Sequence, residues 1–133
     1  MLRLSQRLLL KPNQKIFLLN APPGYAVGMG ALPEGAAVTK KADGADVMQL
    51  FVSNEAELRT QLPKLKTALA QKGALWVCYH KGAGKIKTGI NRDTIAAYAE
   101  SIGLSAYRMI SIDADWSALA LKINQQRDFK FWQ

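Results

Sequence analysis

The chain has 133 residues, 49% of them hydrophobic and 21% charged, with ten glycines, five prolines and one cysteine. That composition excludes a disordered, collagenous or disulfide-stapled chain, and this length suits one domain that buries roughly two-thirds of its unfolded surface. A net charge of +8 draws the folded surface towards phosphates, nucleic acid and other anions without choosing among them.

The opening MLRLSQRLLLKPNQK has no acid, carries Arg3, Arg7, Lys11 and Lys15, and so resembles a mitochondrial transit segment. Against that, Leu8–Leu10 is too short for a signal-peptide apolar region, no stretch approaches the roughly 20 apolar residues of a membrane span, and a strand begins almost at once. Cys78 has no partner for an internal disulfide and suits a reducing compartment, so the expected location is the cytoplasm, without a membrane.

In chain order, Leu2–Leu9 reads as a short helix stopped by Pro12, which disfavours the α conformation in the residue before it. Lys15–Leu19 is a strand without polar alternation, predicted to be buried on both faces, and the prolines of Asn20-Ala21-Pro22-Pro23-Gly24-Tyr25 end it. Gly24, Gly28 and Gly30 fit neither the dinucleotide fingerprint nor the P-loop, which leaves a turn and a short loose helix. Ala36–Lys40 is a weak strand and Asp46–Val52 a clearer one.

The hydrophobic period then changes. Asn54 caps a helix with Glu57 at its third position, and Leu58, Leu62, Leu65 and Leu69 form one apolar stripe. Pro63 predicts a kink or a restart within it, and Gly73 its close. Ala74–Tyr79 is nearly all apolar, as a strand covered by helices on both faces should be, and runs into the glycine- and lysine-rich loop that begins at His80. Asn91 caps a helix over Arg92–Ser101, ended by Gly103. Ala106–Ile112 and Trp116–Ile123 are separated by three residues, too few for a parallel crossover, and so form an antiparallel hairpin.

The chain is similar to a bacterial family of short domains of unknown function through Leu18–Tyr25, Leu75-Trp76-Val77, the Lys81 loop leading to Thr88 and Arg92-Asp93, and Asp115–Leu119, over roughly residues 6–123. The order of elements also resembles a shortened Rossmann-like sheet of the class I methyltransferases. Together they imply a single-domain α/β fold over 1–123, a mostly parallel sheet of about six strands ending in an antiparallel hairpin with helices on both faces; the residues beyond it, 124–133, read as a C-terminal aromatic tail. The methyltransferase resemblance implies a cofactor-admitting turn at Asn20–Gly24 and, at the end of the second strand, an acid for ribose hydroxyls, where Lys40 and Lys41 stand. Two prolines in the turn and lysines in place of the acid argue against S-adenosylmethionine, and no cofactor is expected.

The remaining chemistry is modest. Cys78 and His80 share a strand face about 6.5 Å apart, too far for a thiolate–imidazole pair unless they lean together, and with no second His or Cys a zinc site lacks ligands. Trp76 and Trp116 read as core, and Asp113 and Asp115 as turn residues that bond their own backbone. The stretch His80–Arg92 carries Lys81, Lys85, Lys87 and Arg92 before its first acid, with Thr88 and Asn91 able to add polar contacts at a helix start, against the plain alternative of a solvated loop.

The sequence therefore points to a non-catalytic binding module for an anionic small molecule at the carboxyl edge of the sheet, with ligand-binding residues Asn20, Gly24, Tyr25, His80, Lys81, Lys85, Lys87, Thr88, Asn91 and Arg92. The alternatives are a degenerate S-adenosylmethionine-dependent methyltransferase-like enzyme and a nucleic-acid-associated accessory protein. No catalytic residue and no metal are expected, nucleic acid should bind weakly and without sequence preference, and the chain is read as a monomer or homodimer. Phe129, Phe131 and Trp132 predict a tail that docks, on its own domain or on a second copy.

Overall fold

The computed structural model describes residues 4–81 and 89–124. The elements are α1 (Leu4–Arg7), β1 (Lys15–Leu19), α2 (Tyr25–Gly28), β2 (Ala37–Thr39), β3 (Val47–Val52), α3 (Glu55–Ala68), β4 (Ala74–His80), α4 (Arg92–Ser101), β5 (Leu104–Ser111) and β6 (Trp116–Ile123). They build one six-stranded sheet in the order β2-β1-β3-β4-β6-β5, in which β2, β1, β3 and β4 pair in parallel while β6 runs antiparallel to β4 and β5. Among the described residues no helix is long and apolar enough to cross a membrane.

Handedness decides which face each helix covers. The crossovers β3-α3-β4 and β4-α4-β5 travel the same way along the sheet, so the right-handed rule puts α3 and α4 on one face, where Leu58, Leu62, Leu65, Ile95 and Ala99 pack on Met48, Leu50, Val52, Leu75 and Val77. The β1-α2-β2 connection travels the opposite way, which puts α2 on the other face. There α1, α2 and Met29 cover Val47, Phe51, Trp76, Cys78, Ala118 and Ala120. Sandwiched in this way, all six residues of β3 are buried. β1, beside the short edge strand β2, buries Ile16 fully and leaves Phe17, Leu18 and Leu19 half-buried, less than a doubly covered strand would.

Local signals set most boundaries. Asn54 accepts from the Glu57 N–H at 2.8 Å, and the Glu57 carboxylate reaches back one residue beyond the cap to the Ser53 N–H at 2.6 Å. Asn91 and Thr94 form a reciprocal capping box on α4, and Gly103 at φ 89° ends that helix. Two expectations for α3 are corrected. Pro63 neither kinks nor restarts it, since the helix is one element from Glu55 to Ala68. Gly73 is not its terminator: the helix ends at Ala68 with Leu69 as its cap, and Gly73 lies at the entry to β4, where an added Cβ would stand 2.7 Å from Leu69 Cδ1 and 2.8 Å from the Asp46 carbonyl.

Candidate functional site

The order of strands reverses between β1 and β3, and in open α/β sheets ligands bind outside the carboxyl ends of the strands at such a point. The side chains at this edge divide between two faces because successive residues of a strand point oppositely. His80 at the end of β4 turns to the α1–α2 face, where its ring lies 4.0 Å from that of Trp116 at 32°. Lys81 turns to the α3–α4 face and donates to Ser111 Oγ at 2.6 Å. The residues grouped as one candidate site in the sequence thus divide between the two faces of the sheet.

On the α3–α4 face, Lys81 and Arg92 line a cavity of about 300 Å³ with Tyr79, Met109 and Ser117. The Tyr79 hydroxyl points at Met109 Sδ, 3.4 Å away. Burial raises the pKa of that phenol, and the Arg92 guanidinium opposes the rise. Asn91 also lines the cavity, but its side chain already accepts the Thr94 N–H as the cap of α4, so it is a structural residue before it is a ligand contact. Asp93 adds one carboxylate, 3.5 Å from Arg92 and well exposed. Lys85, Lys87 and Thr88 lie outside the described residues.

On the α1–α2 face a cavity of about 570 Å³ is lined by Arg7 of α1, by Pro22, Gly24 and Tyr25 behind β1, by Asp113 and Asp115 of the β5–β6 turn, and by Trp116 at the start of β6. Tyr25 packs edge-on against Phe51 at 4.7 Å, and Phe51 edge-on against Trp116 at 5.0 Å. The Tyr25 hydroxyl bonds the buried Gln49 side chain. Burial, with Cys78 and Asp113 adding to it and Arg7 opposing, pushes that phenol far above its ordinary value. Asp113 Oδ1 accepts the N–H groups of Asp115 and Trp116 at 2.8 and 2.9 Å, the turn role its position predicts.

Cys78 is wholly buried on this face and burial drives its thiol strongly up, which makes it a core residue rather than a nucleophile. Among the described residues no cluster of His, Cys, Asp and Glu could hold a metal ion. The contribution of Arg7 escapes a sequence reading. Its helix folds back through the Ser5 N–H to the Met29 carbonyl at 3.1 Å and Ser5 Oγ to the Ala31 carbonyl at 2.9 Å, and a serine in a leucine-rich helix is a weak sign of that.

No protein-family model matches the chain and no curated protein matches it. Solved structures do. The chain superposes on a TehB-like SAM-dependent methyltransferase from Corynebacterium glutamicum with a TM-score of 0.55 at 12% identity, over 92% of this chain and 89% of that one. It matches the fibrillarin pre-rRNA processing protein of Methanococcus jannaschii with a TM-score of 0.60 at 13% identity, over 86% and 68%. A SAM-dependent methyltransferase from Aquifex aeolicus gives 0.59 at 11%, over 90% and 89%. The fold is a Rossmann-like methyltransferase fold.

The residues at the strand ends of this methyltransferase-like sheet do not fit S-adenosylmethionine. Where an acid would hold ribose hydroxyls, Lys40 and Lys41 follow β2, both exposed. In the turn behind β1, Asn20 takes a left-handed φ of 62° and is followed by Pro22 and Pro23, so this backbone offers fewer N–H donors than a glycine-rich turn does. Asn20 and Gly24 are exposed, and Gly24, at φ 79°, has open space where a Cβ would stand.

Proposed function

We propose that the chain is a binding module for a small anionic molecule, held at the carboxyl end of β4 by Lys81 and Arg92. The observation that carries this reading is that these two cations, from opposite ends of the 81–92 connection, line one cavity beside Tyr79 and Met109. A guanidinium fork matches a phosphate or carboxylate in two-point geometry, and a lysine adds a mobile point charge. The carboxylate of Asp93 cannot cancel both, because an exposed pair such as Arg92–Asp93 contributes little. The backbone N–H groups at the start of α4 favour the same sign of ligand.

Thermal unfolding in inorganic phosphate tests the proposal. At constant ionic strength the melting temperature of the native chain should rise with phosphate concentration, as it must when a ligand binds the native state alone. The Lys81→Ala, Arg92→Ala double variant should lose that rise. An equal rise in the double variant would place the anion elsewhere.

A further inference from the structure

The cavity on the α1–α2 face has a different chemistry from the anion site. Tyr25 and Trp116, which line it, both meet the buried Phe51 edge-on, at interplanar angles of 74° and 78°, so one core ring holds both aromatic side chains in place. Pro22 adds a further flat apolar surface. Charge of both signs borders these rings, with Arg7 contributed by α1 and Asp113 and Asp115 by the hairpin turn. Among the described residues Arg7 forms an ion pair with neither aspartate. One oxygen of Asp113 is committed to the turn, which leaves its other oxygen and both of Asp115 as acceptors. At about 570 Å³ the space is of the size that holds small organic ligands.

These groups exclude the simpler ligands. An inorganic anion would meet two carboxylates and a simple ammonium would meet Arg7, while a purely apolar molecule would strip water from all three charges without compensation. We propose that this cavity binds a flat heteroaromatic ring carrying N–H or amino groups, of the purine or pterin class, laid against the Tyr25 and Trp116 side chains with its N–H edge on Asp113 and Asp115 and a ring acceptor on Arg7. Stacking on aromatic faces supplies the attraction, and the carboxylate and guanidinium groups orient the ring. The Tyr25 phenol is neutral at neutral pH, so this wall carries no charge of its own.

The test titrates the isotopically labelled full-length protein with guanosine and, separately, with neopterin, neither of which bears a phosphate. Amide signals of Gly24 and Gly28 and the indole N–H of Trp116 should shift saturably. Arg7→Met and Asp115→Asn should each weaken binding about tenfold or more, the loss of one charge-assisted hydrogen bond. Neither side chain bonds its neighbours among the described residues, so both variants should keep the native melting temperature. The Lys81→Ala, Arg92→Ala variant should bind both probes like the native chain, which separates this site from the anion site. Absence of saturable shifts with both probes, unchanged affinity in the Arg7 and Asp115 variants, or shifts confined to Tyr79 and Ser117 would overturn the proposal.

Discussion

The Tyr98 hydroxyl of α4 donates to the Arg59 carbonyl of α3 at 3.3 Å. That carbonyl is the acceptor Pro63 leaves vacant, because residue 63 would supply its intrahelical N–H and proline has none. The Arg59 guanidinium also lies 4.8 Å above the Tyr98 ring. The neighbouring helix therefore repairs the defect that α3 carries, and α3 runs through Pro63 unbroken. Replacing Tyr98 by Phe should cost about 1 kcal/mol in urea unfolding, a typical loss for one hydrogen bond. In a Pro63→Ala background the backbone donor returns, and the same replacement should cost clearly less; equal costs in the two backgrounds would show that the hydroxyl does not serve this carbonyl.

The converse tie is Lys66 of α3, whose ammonium donates to the Ile102 carbonyl at the end of α4 at 2.6 Å. A cation at a helix carboxyl end satisfies a terminal acceptor and opposes the dipole. Lys66→Met keeps the aliphatic stem and should lower stability by about 0.5–1 kcal/mol, with an amide-exchange increase concentrated in residues 99–103. A uniform increase across the sheet would instead indicate lost packing.

Gly73 should tolerate no side chain. An added Cβ would meet the Asp46 and Ala70 carbonyls at 2.8 and 2.9 Å, and neither backbone atom can swing away as a side-chain end can. Gly73→Ala should destabilise by about 1–3 kcal/mol, the usual range for overpacking, seen as a lower denaturant midpoint.

Alkaline pH should unfold the chain more readily than acid-base chemistry of exposed groups would suggest. The Tyr25 phenol and the Cys78 thiol have folded-state values raised by burial, so the native state keeps protons that the unfolded chain releases. Their stabilising contribution is complete below the unfolded values, near 8.5 for Cys and 10 for Tyr, and falls as pH rises through and above them. Tyr25→Phe should flatten the decline above about pH 10, and Cys78→Ala the part that begins nearer pH 8.5. A decline that keeps its slope in both variants would assign it to other groups.

Two binding measurements bear on the alternative functions. Calorimetry with millimolar S-adenosylmethionine should give no one-to-one isotherm, since exposed Lys40 and Lys41 stand where an acid is needed; a clear isotherm would favour a methyltransferase-like enzyme. Nucleic acid should bind through the net charge of +8 by counterion release, and raising salt from about 50 to 200 mM should nearly erase it. Tight, sequence-selective binding that survives the higher salt would favour the nucleic-acid reading.

What the amino-acid sequence by itself determined is the set of elements and their kind. Lys15–Leu19, Arg92–Ser101 and Trp116–Ile123 are legible to the residue because their signals are local: an apolar run stopped by prolines, an asparagine cap with a closing glycine, and a hairpin connection too short to cross over. Tertiary structure decided the rest. Pro63 reads as a break until Tyr98, 35 positions later, supplies the missing donor. Lys81 and His80 are neighbours in one basic stretch, yet the two-residue period of β4 sends them to opposite faces, and it is β6, inserted between β4 and β5, that brings Trp116 to one and Ser111 of β5 to the other. Arg7 and Asp113 lie at nearly opposite ends of the chain, and they line one cavity because handed crossovers leave the α1–α2 face to a short helix that folds back over the sheet.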